Sequence, residues 1–151
     1  MIRTRVLQIG IGATCLIIAI AILHCAEVIA GEWKLLGSND DFLYFYDPTT
    51  ISFSSKSIGR VWTKAIYKET GREKTMQDYR ENRELLSIIK IVDHTLNLLE
   101  INCHDKKFRT LSGNFYSKNG KILKTVESNS QPWKFIPPDT MYEAIYQLVC
   151  K

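Results

Sequence analysis

No common catalytic fingerprint occurs anywhere in this 151-residue chain. There is no G-x-S-x-G nucleophile elbow, no H-E-x-x-H metal helix, no phosphate-binding loop and no dinucleotide fingerprint, which removes the readings those motifs carry. C-x-x-C and H-x-x-x-H spacings are absent too, and the usual zinc patterns go with them. Charge is nearly balanced, with 20 lysines and arginines against 16 acids. No basic stripe with interleaved aromatics runs through it, so nucleic-acid binding has no footprint. Internal repeats, low-complexity tracts and long linkers are also missing, and nothing divides the chain into several domains.

Cysteine is scarce, and its four copies fall into two pairs. Cys15 and Cys25 lie in a greasy N-terminal segment, while Cys103 and Cys150 lie in the remainder. Arg3 and Arg5 precede an uncharged run from Val6 to Leu23, the positive and apolar regions of a bacterial-type secretory signal. Three outcomes remain open at its end. Val28-Ile29-Ala30 permits cleavage after Ala30, releasing a domain that starts at Gly31. The string Ile22 to Cys25 resembles a lipobox, with Cys25 as the lipidated residue and His24 where a small residue is usual. An uncut segment of this length can just cross a bilayer, with the two arginines held inside. Residues 1–30 therefore read as a signal peptide or membrane anchor. Each outcome exports residues 31–151 to the periplasm or cell envelope.

Those exported residues have the length of one small domain with a modest core. Short β-like runs cover Trp33 to Gly37, Phe42 to Tyr46 and Ile51 to Phe53, and a longer one covers Ile58 to Lys68. In the longest, Val61, Thr63, Ala65 and Tyr67 share one face, and Arg60, Trp62, Lys64 and Ile66 share the other. The period then changes: Leu85, Ile88, Ile89 and Val92 fall on one helical face, predicting a helix over 76–91 with Thr75 and Asp78 near its start. Strands return from His94 to Cys103, Lys107 to Tyr116 and Lys121 to Glu127, the last two joined by a turn containing Asn119-Gly120. Thr140 and Glu143 fit a capping box, and Met141, Ala144, Ile145 and Leu148 follow as an apolar stripe ending at Cys150. The fold class is α+β: an antiparallel sheet of about six strands, a C-terminal helix packed on it and an inserted middle helix.

A disulfide between Cys103 and Cys150 is the leading reading of the remaining pair, because the compartment is oxidising. It would close a long loop and restrict the unfolded chain by about 4 kcal/mol in the entropic model. Free thiols are one rival. Metal binding is another, since His104 adjoins Cys103 and His94 precedes both, although neighbouring strand residues point to opposite faces. Asp93-His94 with Ser112 offers a fragment of a catalytic triad, and residues so isolated are common by chance. The aromatics Tyr44, Phe45, Tyr46, Trp62, Tyr67, Phe115, Tyr116 and Trp133 suit core packing or a ligand groove.

Several segments together carry a family resemblance. WKLLG at 33–37, FLYFYDPTTI at 42–51 and RVWTKAIY at 60–67 are followed by LLEINCHDKKFRTLSGNFYSKNGKIL at 98–123 and WKFIPPDTMYEAIYQLVC at 133–150. In this order they resemble the surface-adhesin protein E-like family of bacterial envelope proteins. The stretch from Lys68 to Thr95 carries least of that pattern, and its helix reads as an insertion. The resemblance implies a small antiparallel sheet with a C-terminal helix tied to it through Cys103 and Cys150. It also implies kinship with adhesins for host matrix and plasma proteins.

The expected function is a non-enzymatic binding module of the bacterial envelope with a protein partner there or in the extracellular matrix. No cofactor, metal or nucleic acid is expected, and the membrane is met only through the N-terminal segment. Exposed cations such as Lys106, Lys107, Arg72, Lys74 and Arg80 are candidate contacts. The alternative is a periplasmic module that binds a small ligand or peptide on the aromatic sheet face.

Overall fold

The computed structural model describes residues 31–127 and 131–151. The expectations placed on residues 1–30, including lipidation at Cys25 and cleavage after Ala30, lie outside the described residues. Eight strands form one antiparallel sheet: β1 Lys34–Ser38, β2 Phe42–Tyr46, β3 Ser52–Ser55, β4 Ile58–Tyr67, β5 Val92–Asn102, β6 Lys107–Ser117, β7 Ile122–Glu127 and β8 Lys134–Phe135. They occupy six positions in the order β1-β2-β4-β5-β6-β7. β3 shares the β4 edge with β2, and β8 shares the β6 edge with β7.

Local chemistry explains the break between β2 and β3. Asp47-Pro48 starts a 3-10 turn over Pro48–Thr50, in which the Asp47 carboxylate accepts from the Thr49 amide at 3.0 Å. The excursion stays stitched to β4: the Asp47 amide donates to the Trp62 carbonyl and the Trp62 amide donates to Thr50 Oγ1, both at 3.1 Å. Trp62 thereby keeps its backbone partners where the ladder is interrupted.

The expected middle helix is two helices, α1 Glu69–Asp78 and α2 Arg83–Ile89. Asn82 begins the second by accepting from the Leu85 amide at 3.1 Å, and the stripe of Leu85, Ile88 and Ile89 belongs to it alone. Thr75 caps nothing; its hydroxyl bonds back to the Gly71 carbonyl inside α1. α1 has no apolar stripe to betray it. It is held by backbone proximity instead, since a Cβ at Gly71 would lie 2.2 Å from the Asp41 carbonyl oxygen. Arg72 ties the pair together by donating to the carbonyls of Ile89 and Val92.

The C-terminal helix α3, Met141–Val149, carries the apolar stripe that the sequence predicts. Thr140 accepts from the Glu143 amide at 3.3 Å, and Glu143 accepts from the Asp139 amide at 2.9 Å. Ile145 and Val149 bury themselves with Val61, Leu99, Ile101, Phe108 and Ile136 to form the main core cluster. A disulfide joins Cys103, just past β5, to Cys150, with Cα atoms 5.4 Å apart.

Gly59 is where α3 touches the sheet most closely. A Cβ there would lie 2.3 Å from Val149 Cγ1, so any larger residue forces Val149 or the helix to shift. Gly59→Val is expected to destabilise the domain by about 1–3 kcal/mol in urea unfolding. Gly37→Val, where a Cβ meets nothing within 4 Å, should stay within about 0.5 kcal/mol. Equal losses at both positions would overturn the close-approach account.

Candidate functional site

Cross-strand pairing sorts the side chains onto two faces. Val61, Thr63, Ala65 and Tyr67 pair with Leu99, Asn97, Thr95 and, through β2, Phe42, and this face carries α1, α2 and α3. The other face bears Arg60, Trp62, Lys64 and Ile66 opposite Glu100, Leu98, Leu96 and His94. No helix among the described residues packs on it. The alternation expected along β4 is thus present, and its wet side is a broad surface rich in rings and aliphatics.

The aromatic candidates divide accordingly. Tyr44, Tyr46, Tyr67 and Phe115 lie on the helix-covered face, where core packing uses them. Phe45, Trp62 and Tyr116 lie on the open face, in cross-strand contact with Lys64, Leu98 and His94. Trp33 and Trp133 border it, with the Lys64 ammonium 5.9 Å above the first ring and the Arg109 guanidinium 4.6 Å above the second. Every one of the five is partly buried, leaving part of each ring in water.

A charged row crosses the middle of this face. Arg60 on β4, Glu100 on β5 and Arg109 on β6 stand directly opposite one another. Arg60 Nε and Nη2 donate to Glu100 Oε1 at 2.9 and 2.8 Å. Arg109 Nε and Nη2 donate to Oε2 at 2.7 and 2.6 Å. The Glu100 side chain is 2% exposed, whereas those of Arg60 and Arg109 are 41% and 27% exposed. The carboxylate is thus sealed beneath two guanidiniums that remain at the surface. Sequence reading missed the row because Glu100 sits between Leu99 and Ile101 as an ordinary strand polar residue.

Under the helices lie two cavities of about 590 Å³ each. The first is bordered by Leu36, Tyr44, Phe135, Met141 and Tyr142 near the start of α3. The second lies between α1, α2 and the sheet, bordered by Phe42, Tyr67, Tyr79, Leu85, Ile89 and Phe115. Burial pushes the Tyr67 phenol up to about 12, so it faces this space as a neutral group. Burial also raises Tyr44 and Tyr142. In the first turn of α3, the Lys106 ammonium lowers Glu143, with help from the Asp139 amide.

The other candidates are scattered. Cys103 is bonded to Cys150, and exposed His104 turns to Asp105 at 2.8 Å, so these residues share no metal geometry. Among the described residues no three His, Cys, Asp or Glu side chains gather as ligands. His94 bonds Asp93 at 2.8 Å and stacks on Tyr116 with ring centres 5.0 Å apart. Ser112 lies four residues along β6 from Tyr116, about 13 Å away along the strand, and meets neither. Of the candidate cations, Arg72 binds carbonyls, Lys74 pairs with Asp41 and Lys106 with Glu143. Lys107 lies 4.8 Å above the Phe135 ring, and Arg80 is exposed.

An antiparallel sheet with one helix-covered face, one open aromatic face and a disulfide at the end of its terminal helix defines a disulfide-braced α+β sheet protein. Within that class the chain belongs to the surface-adhesin protein E family, whose model matches residues 33–151. The match runs through Lys68 to Thr95, where family likeness was expected to be weakest. No curated protein matches the chain.

Proposed function

We propose that this protein is a non-enzymatic binding module of the bacterial cell envelope that offers its open sheet face to a protein partner. The observation that carries the reading is that face: a rigid sheet with Phe45, Trp62 and Leu98 left without a helical cover. Aromatic side chains with few rotatable bonds are the usual anchors of protein interfaces. Membership in a family of surface adhesins supports adhesin-like binding and a place outside the inner membrane. Residues 1–30 act as the export signal or anchor in this reading, and residues 31–151 are the single exported domain.

Immobilised protein challenged with envelope extracts and purified matrix proteins tests the reading. A partner should be retained by the natural protein and by Arg80→Ala in the turn between α1 and α2, and weakened at least about tenfold by Trp62→Ser. A partner held equally by Trp62→Ser would move the interface off this face. Co-purification of a small molecule alone would favour a ligand-binding module instead.

A further inference from the structure

We propose that the Arg60–Glu100–Arg109 row anchors an acidic stretch of a polypeptide partner. The proposal rests on the open-face reading above and names the chemistry of what that face receives. As a stabilising device, a carboxylate sealed under two arginines is a poor choice, because desolvation offsets most of the attraction and apolar residues of similar volume serve as well. What the arrangement does accomplish is orientation. Each guanidinium presents its Nε–Nη2 edge to one oxygen of Glu100, which leaves its Nη1 amino group on the side away from that carboxylate. Among the described residues neither guanidinium has another hydrogen-bonding partner. Two flexible side chains are thereby fixed with donors ready, and the entropy of ordering them is already lost before a ligand arrives.

Charge sets the sign of the ligand. Arg60, Arg109 and Lys64 project from this face around one buried carboxylate, so the centre of the face is net positive. Spacing is compatible with an extended chain. The two arginines stem from strands about 10 Å apart and lean inward to a common oxygen pair, while alternate residues of an extended peptide lie about 7 Å apart. The surroundings decide between polypeptide and other polyanions. Trp62 and Leu98 stand directly beside the charged row, and the Trp133 ring backs Arg109. A sulfated glycan or lipid headgroup, charged and hydrated over most of its surface, covers these apolar groups less completely than a peptide mixing acidic and apolar side chains, which meets both.

Fluorescence anisotropy with the full protein tests this, using a labelled peptide of alternating glutamate and leucine as probe. Its lysine-for-glutamate counterpart, a heparin oligosaccharide and phosphatidylglycerol vesicles serve as competitors of other chemistry. The acidic peptide should bind, weaken with added salt, and lose at least about tenfold in affinity in Arg60→Gln/Lys64→Gln. That variant leaves the Arg109–Glu100 bond in place. Lys64→Gln alone, which leaves the ion row untouched, should lose about threefold and serves if the double variant fails to fold. Failure of the acidic peptide to bind, equal binding of the basic peptide, or tighter binding of glycan or vesicle overturns the proposal. If Arg60→Gln/Lys64→Gln retains a protein partner that Trp62→Ser loses, this inference falls while the open-face reading stands.

Discussion

A Cys103→Ser/Cys150→Ser variant is expected to lose about 4 kcal/mol of stability and to melt about 15 °C below the natural protein. The two cysteines are 47 residues apart, and the loop they close contains β6, β7, β8 and α3. Opening it releases the unfolded chain from a constraint that grows with the logarithm of loop length. The folded side loses a tether at a sensitive place. Cys150 follows directly on Val149, the residue seated against Gly59, and the Tyr146 hydroxyl donates to the Cys103 carbonyl at 3.3 Å. Because domains of this kind hold only about 5–15 kcal/mol in total, such a loss takes a large share of the whole. Thermal and urea unfolding of both proteins, with thiol alkylation of the natural one under non-reducing conditions, check the result. A change below about 1 kcal/mol, or two alkylatable cysteines in the natural protein, would refute the bracing role.

The parts of this architecture that were legible in the sequence are those whose signals are local. The Asn119-Gly120 turn sets one hairpin, and Gly120 takes a positive φ of 78° as such a turn requires. The Thr140 cap and the stripe from Met141 to Val149 fix α3 through contacts within a few residues. The helix pair was half hidden for the opposite reason. α2 shows its apolar stripe, but α1 is polar apart from Met76 and is positioned by the Asp41 backbone and by Arg72 reaching carbonyls 17 and 20 residues away. No periodicity records that kind of anchoring.

The charged row shows the same division within one site. Arg109 faces Glu100 across the tight corner between β5 and β6, a pairing that follows once the turn at His104-Asp105-Lys106 is centred. Arg60 lies 40 residues from Glu100 and meets it only because two helices close the longer β4–β5 connection at one particular register. A single-residue slip would turn Arg60 toward the helices and Val61 toward water. The open face therefore depends on the same register that buries Val61, Leu99 and Ile101 beneath α3. Core and candidate surface are two sides of one set of strand pairings.

Glu100→Ala is expected to destabilise the protein by about 3 kcal/mol, near the lower end for breaking a buried ion pair, because both arginines keep some contact with water. Removing the carboxylate leaves two like charges facing each other across β5 with nothing between them. Replacing the whole row, as Arg60→Met/Glu100→Leu/Arg109→Met, should recover most of that loss or all of it, since no charge is then stranded and the apolar replacements join Trp62 and Leu98. Urea unfolding of the two variants beside the natural protein reads the difference directly. A triple variant as unstable as Glu100→Ala would make the row a structural requirement. Recovered stability together with lost binding of the acidic peptide would separate the two roles: the strand register and the α3 core hold the fold, and the charges are there for what docks on them.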